Sequence, residues 1–412
     1  MRAIVNREAL VTAHAIAARG VATASRAIPQ VLTDIRYTAA AGELILSAMD
    51  GTTSVATRVP AMVEEDGSTA VRPSPLGEAF GSLDCASVLL RAGDEKHSLV
   101  VVGGRSVSTV RGQDPVDYPP IPTLPDAIAG TAPARVFAEI ARQCVIAAAH
   151  DGTATVLNGV SMQTEGDTLT LAAADRFRLS VRTGRLVSGR KAGPLKVIVP
   201  ATALAEFVKV LPPEDVTVSF GLTENGRIIV FRAGPTEYST RLIEGEYINY
   251  RPLIPTSCAS RAILPTTELR RALHTVQLFA RESGNFMSLT TVPGEGDGLG
   301  ALVLGAEAAD SGAGSSPVDA VVEGASITLC CNAGYLVGFL NVVHAEHVAI
   351  ELESPVKPAA LRPIDDTDLT YIVMPMNRPP APASRPAPPA EAPSASPATP
   401  DITKARAPKK SA

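Results

Sequence analysis

Very little in this sequence offers chemistry. Its 412 residues include no Trp, and aromatic residues make up 4% of the chain, while 45% are hydrophobic and 19% charged, as in an ordinary soluble globular protein. No unbroken apolar run approaches the roughly 20 residues that a membrane span needs. The start, MRAIVNREALVTAHAIAARG, lacks the apolar core of a secretory signal. Five cysteines (Cys85, Cys144, Cys258, Cys330 and Cys331) form neither a CxxC pair nor a disulfide-like spacing, which predicts reduced core thiols in a cytosolic protein.

Catalytic and cofactor motifs are missing too. VVGGRS is a lone Gly pair without the GxGxxG or GxxxxGK[ST] context that cradles phosphate. His344 and His347 form an HxxH that no Cys supports, and His347 opens the strand-like HVAIEL, so no metal site is expected. GxSxG is absent, and Asp365 and Asp366 in RPIDDTD have the composition of a turn rather than of an acid–base pair. The sequence predicts no cofactor, no metal and no enzyme.

Charge excludes a general nucleic-acid binder on average: the net value is −5. It is unevenly spread, because Arg378 to Ala412 holds six basic and two acidic residues, a net +4, leaving −9 on the rest. Ten of those last 35 residues are Pro, so the segment 379–412 cannot offset its ordering entropy by burial and is expected to be a disordered extension. Lys404, Arg406, Lys409 and Lys410 could touch DNA weakly from it.

What is present is a repeat. RAIVNREALVTAHAIAARGV, ARVFAEIARQCVIAAAHD and RAILPTTELRRALHTVQLFARE each join a short strand to an amphipathic helix, with Leu10, Ile140 and Leu269 about 130 residues apart. LILSAMDGTTSVATRV and LTLAAADRFRLSVRTG both read as strand–corner–strand with Asp50 and Asp175 at the bend. Tyr118 in VDYPPIPTLP and Tyr250 in INYRPLIPTS keep a similar period. A second helix follows in each copy: SPLGEAFGSLD, PATALAEFVKVLP and NAGYLVGFLNVV. The fold class is therefore α+β, with three units at 1–127, 132–256 and 261–378, each of two helices on antiparallel strands.

One stretch resists a core reading. AAADRFRLSVR starts as a small apolar strand and then sets Asp175, Arg176, Phe177 and Arg178 together. A catalytic pair, a nucleic-acid grip and the wall of a peptide pocket would each account for it.

The order TVLNGVSMQTEGDTLTLAAADRFRLSV, TRLIEGEYINYRPLIP and LTYIVMPMNR, on a threefold repeat, resembles the bacterial DNA polymerase III beta subunit (sliding clamp) family from Met1 to about Arg378. The resemblance implies a six-domain ring, closed head-to-tail by two chains around duplex DNA. It implies a non-catalytic processivity factor of the replicative polymerase, cytoplasmic and nucleoid-associated, which tethers polymerase, clamp loader and repair proteins. Helices facing the hole would bring Arg19, Arg142, Lys209, Arg270 and Arg271 near DNA, with Arg26 and His150 on loops.

By the same resemblance, partner peptides with Leu and Phe anchors enter a cleft between the second and third domains. Its wall would be Leu157, Ala174, Arg176, Phe177, Arg178 and Leu179, then Ile248, Pro252 and Leu253. Pro358, Ile372, Val373, Met374, Pro375 and Met376 would complete it, the thioethers suiting varied guests. Leu278 and Phe279 would meet the edge strand Ser106–Val110 at the dimer seam. Ala174, Pro252, Pro358 and Asn377–Arg378 depart from the family's usual residues. Those departures keep open a specialised second clamp with an altered cleft, for inhibitor resistance or repair polymerases. A monomeric peptide-binding scaffold is a third reading, kept open by the weakly basic inner helices.

Overall fold

The computed structural model describes residues 1–377 apart from 24, 26, 94, 96, 151–154, 188–192 and 296–297. The first repeat runs β1 (Arg2–Asn6), α1 (Arg7–Ala18), β2 (Ile35–Ala40), β3 (Glu43–Met49), β4 (Thr53–Glu65) and β5 (Gly67–Val71). It continues with α2 (Pro73–Ser82), β6 (Ser87–Ala92), β7 (Leu99–Gly103), β8 (Ser106–Val110) and a short β9 (Gly112–Gln113). The second runs β10 (Gly130–Pro133), α3 (Ala134–Val145), β11 (Gly159–Glu165), β12 (Thr168–Ala174) and β13 (Arg178–Arg185). After these come β14 (Lys196–Pro200), α4 (Ala201–Lys209), β15 (Thr217–Leu222), β16 (Ile228–Ala233) and β17 (Thr236–Arg241). The third runs β18 (Ser260–Pro265), α5 (Thr266–Ala280), β19 (Phe286–Val292), β20 (Gly300–Ala308) and β21 (Gly312–Gly324). It ends with β22 (Thr328–Asn332), α6 (Ala333–Val342), β23 (His347–Leu352), β24 (Ala359–Pro363) and β25 (Leu369–Val373). β9 apart, the order strand, helix, four strands, helix, three strands recurs three times.

Local sequence explains these elements. Strand β2 alternates buried Ile35, Tyr37 and Ala39 with half-buried partners, the period of a strand with one face inward. Helix α3 buries Phe137, Ile140, Ala141 and Cys144 at three- and four-residue steps. The Asn6 side chain accepts the Ala9 N–H at 3.0 Å, and Asn332 accepts that of Gly334 at 2.8 Å, capping α1 and α6. Helices pack in pairs, α1 with α2, α3 with α4 and α5 with α6, against the inner faces of their sheets. The second repeat centres on Phe137, Phe207, Phe220 and Phe231, all fully buried, with Phe207 stacked on Phe231 at 4.8 Å between centroids.

The three domains are joined edge to edge. β17 of the second pairs antiparallel with β4 of the first, Thr236 opposite Thr57, and β25 of the third pairs with β13 of the second, Leu369 opposite Arg182. Both joints use the fourth strand of one repeat and the last strand of the next. Hydrogen bonds therefore run unbroken through one sheet of 13 strands and one of 12, and Met1–Met376 forms a single compact body. Hydroxyl pairs line the first joint, Ser54 with Ser239 at 2.6 Å and Thr57 with Thr236 at 3.1 Å. The second joint carries an Arg182–Asp366 ion pair and a bond from the Thr183 hydroxyl to Asp368 at 3.1 Å. Across it, α3 touches α6, where the Gln143 amide donates to the Val342 carbonyl at 3.3 Å.

Candidate functional site

The charged stretch that opposed a core reading is the bend between β12 and β13. Asp175 builds it: one carboxylate oxygen accepts the N–H groups of Phe177 and Arg178 at 2.7 and 2.8 Å, and the other accepts the Arg178 Nε–H at 2.8 Å. Asp50 does the same in the first domain, accepting from the N–H groups of Thr52 and Thr53. A short side chain that satisfies two turn donors is what a tight corner needs.

Arg178 does not stand on an open rim. Its side chain is 15% exposed and leaves the second domain to lie over the Tyr335 ring of α6, 4.7 Å from the centroid. Gly338, one turn further along α6, would place a Cβ 3.9 Å from the same guanidinium, so the helix passes close by. Burial by itself lowers the guanidinium's proton affinity, but Tyr371 and Asp175 outweigh it and raise the net value.

The end of the third domain then crosses this bend. The Met374 N–H donates to the Phe177 carbonyl and the Met376 N–H to the Cys330 carbonyl, each at 2.8 Å. Beneath lies an apolar floor of Ala172, Ala174, Leu179, Tyr250, Ala360 and Ile372, with Leu253 packed against it. Ala174, Leu179, Ile372 and Val373 are at most 1% exposed, so they form a base rather than a touchable wall. Phe177 and Ile248, at 52% and 36% exposure, stand above it with exposed Arg176 and Pro252. Leu157, Pro358, Met374, Pro375 and Met376 are half-buried. The resulting feature has a greasy base, an aromatic and aliphatic rim and two thioethers.

Two tyrosines here escaped sequence reading. Tyr335 carries no local signal, because only the fold brings α6 under the bend. Tyr247 accepts the Ala174 N–H at 2.8 Å through its hydroxyl, which also reaches the Gly159 carbonyl at 3.4 Å. Tyr118 accepts the Met49 N–H at 2.8 Å in the first domain. Tyr247, not Tyr250, is thus the counterpart of Tyr118, which corrects the pairing that the shared Pro-rich flanks suggested. Burial pushes the Tyr247 hydroxyl well up and that of Tyr118 up to about 12, keeping both neutral and able to donate and accept.

The basic residues expected near DNA are exposed but unequal. Arg142 is exposed and, among the described residues, free of a carboxylate partner. Arg135, one heptad earlier and overlooked in the sequence, is exposed on the same face of α3. Arg19 and Lys209 share Glu206 at 3.1 and 2.6 Å, and Arg271 pairs with Glu268 at 2.8 Å, so much of their charge is answered locally. Arg270 donates to the Leu340 carbonyl near the end of α6. His150 is exposed, and Arg26 lies outside the described residues, as does the tail.

At the other expected surface, Leu278 is 56% exposed, while Phe279 turns beneath β21. A Cβ on Gly314 would come within 2.5 Å of the Phe279 ring, so a larger residue there would have to displace the ring.

Family models for the DNA polymerase III beta subunit match the chain in order, the N-terminal domain at residues 1–122, the central domain at 131–249 and the C-terminal domain at 251–377. The chain belongs to the DNA polymerase III beta subunit family. The beta sliding clamp of Streptomyces coelicolor is 31% identical over 375 residues, covering 88% of this chain and 97% of that one. That of Synechococcus elongatus is 27% identical, covering 85% and 94%. The crystal structure of the Bacillus subtilis DNA polymerase sliding clamp matches with a TM-score of 0.84 at 21% identity, over 92% of this chain and 99% of that one. A Pseudomonas aeruginosa sliding clamp solved with griselimycin bound matches at 0.83 and 22% identity, over 92% and 100%. The three α+β domains are clamp domains, and the protein is a DNA sliding clamp, a non-catalytic processivity subunit of the polymerase holoenzyme.

Proposed function

We propose that two copies of this clamp close head-to-tail into a ring around duplex DNA and recruit partners through the cleft at Phe177 and Met374. The observation that carries the ring is the pattern of used and unused strand edges. Both internal joints pair a fourth strand with a last strand. Among the described residues two such edges remain: β8 pairs only with β7, and the Gly312–Ser316 part of β21 pairs only with β20. They belong to the two ends of the three-domain body, so joining them between chains gives each edge a partner.

Repeat equivalence supplies the register. Met62 opposes Ile4, Val321 opposes Ile263, and the Val187 N–H donates to the Thr131 carbonyl. Thr57, Arg182 and Ser316 therefore hold one place in the repeat, as Thr236, Leu369 and Ser106 hold another. At the seam Ser316 faces Ser106 of the second copy, as Thr57 faces Thr236. Gly314 then faces Ser108, two small residues over Phe279, with Leu278 beside them.

In this ring the paired helices face DNA, and Arg135 and Arg142 give α3 a sparse basic stripe. Sparse contact suits sliding, since a strong grip would bind one register of the phosphate backbone. Guests enter the cleft as short peptides whose Leu and Phe side chains settle among Phe177, Ile248, Met374 and Met376. The polymerase and clamp-loader subunits are the first to test.

The deciding experiment loads the protein onto circular DNA with its clamp loader and then linearises the circle. Release on cutting is expected; retention after cutting, or binding that needs no loader, would remove the ring.

A further inference from the structure

The outer face of the first domain carries an apolar row that the other two domains lack. Cross-strand partners share a face, and the registers link Met62 to Ile4, Ile4 to Leu89, Leu89 to Val102 and Val102 to Val107 across β4, β1, β6, β7 and β8. Their neighbours Ala3, Val5, Val88, Leu90 and Val101 are buried toward the helices, so the row points outward. Met62 is 59% exposed and Val107 66%, with Ile4, Leu89 and Val102 half-covered between them.

The repeat provides an internal control. The same row in the second domain reads Val187, Thr131, Ser219, Arg232 and Glu237, with Arg232 ion-paired to Glu237. In the third it reads Val321, Ile263, Ala349, Arg362 and Thr370, where Arg362 bonds Thr370 and pairs with Glu351 at 3.1 Å. The fold thus tolerates an arginine at the place of Val102, and nothing in the architecture demands five apolar residues in line. Among the described residues no part of the chain covers them.

We infer that this row is a docking surface for an amphipathic helix of a partner protein, with acidic residues on both flanks of its apolar stripe. Length argues for a helix. Four inter-strand steps of about 4.8 Å make a row about 19 Å long, which about 13 helical residues span at 1.5 Å each. Charge sets both flanks. One step along the strands, on the same face, lie Arg2 and Arg91, directly opposite each other, and the other side holds Asn6, Ser87 and, on the turn between β7 and β8, exposed Arg105. Arg91 donates to the Ala92 carbonyl and has no carboxylate partner among the described residues, although Arg2 pairs with Glu64. Arg105 likewise has no carboxylate partner among the described residues, so each flank presents a cation. The surface lies on the opposite side of the sheet from the helices and away from the Phe177 cleft, so both can be occupied together.

The test uses the full-length protein and a fluorescein-labelled 16-residue helical peptide with a Leu stripe and Glu on both flanks, read by fluorescence anisotropy. Saturable binding is expected, weakened at least tenfold by Val102→Arg, which restores the residue type of the other domains. Replacing the flanking Glu residues by Lys should weaken it similarly. Absence of binding, or binding indifferent to Val102→Arg or to flank charge, overturns the inference. Should Val102→Arg unfold, Ile4→Thr, which copies Thr131 of the second domain, gives the same readout. Sedimentation decides against a second copy: association of wild type beyond a dimer that Val102→Arg abolishes would make another clamp the occupant and the partner helix wrong.

Discussion

The guanidinium of Arg178 in the second domain lies 4.7 Å from the ring centroid of Tyr335 in the third, with the Asp175 carboxylate holding its Nε–H at 2.8 Å. This contact joins the Asp175 bend to α6 across a domain boundary. A cation on an aromatic face is worth about 0.5–2 kcal/mol, most when desolvated. Tyr335→Ala is expected to weaken a labelled Leu/Phe polymerase peptide about tenfold and to lower the melting temperature. Tyr335→Phe, which keeps the ring face, should restore most of both. A peptide affinity unmoved by Tyr335→Ala would separate the contact from the cleft.

Tyr118 and Tyr247 each hold a backbone N–H at a strand bend, Met49 and Ala174 respectively. Removing either hydroxyl leaves a part-buried donor unpaired at a cost of about 1–3 kcal/mol. Tyr118→Phe and Tyr247→Phe should therefore destabilise to a similar degree in denaturant titrations. Only Tyr247→Phe should also weaken peptide binding, because Ala174 belongs to the floor of the proposed cleft. Equal peptide affinity in the two variants would show that the floor tolerates the lost bond.

The seam register predicts a cross-link. Ser106→Cys combined with Ser316→Cys should give a covalent dimer under oxidation, seen on a non-reducing gel. Ser106→Cys with Ala313→Cys, three residues out of register, should not. The reverse pattern would shift the register, and monomer in both lanes would remove the seam.

His14 is 4% exposed, with its Nδ1 2.6 Å from the Tyr37 hydroxyl and its Nε2 3.1 Å from the Pro73 carbonyl. Nε2 therefore donates to the carbonyl, and Nδ1 accepts from the tyrosine. Burial lowers its pKa below the usual 6.5, with the Pro73 bond acting in the opposite direction. The unfolded chain then takes up a proton first as pH falls. Stability tied to neutral His14 is complete above about pH 6.5 and is lost as pH drops from there toward the lowered value. Thermal melts between pH 7.5 and 5 should show a steeper fall for wild type than for His14→Gln. Parallel curves would mean that the ring titrates normally.

Much of this was legible in the chain. The repeat, its helices and the Asp50 and Asp175 bends are local, since a period of 3.6 or 2 and a turn carboxylate act within a few residues. Sequence alone pairs Tyr118 with Tyr250, because both precede Pro-rich joints. The hydroxyl bonds of Tyr118 and Tyr247 report the true equivalence, because they depend on which backbone N–H each ring reaches. Ala174 and Leu179 carry no mark distinguishing the apolar floor beneath the Asp175 bend from any other core.

Fold class and family are thus properties of the sequence, set by short-range patterning repeated three times. Which strand edges meet, where Arg178 points and which face the Met62–Val107 row occupies are settled only by tertiary structure. Each depends on strand register between segments far apart in the chain, where a one-residue slip would turn every side chain to the other face.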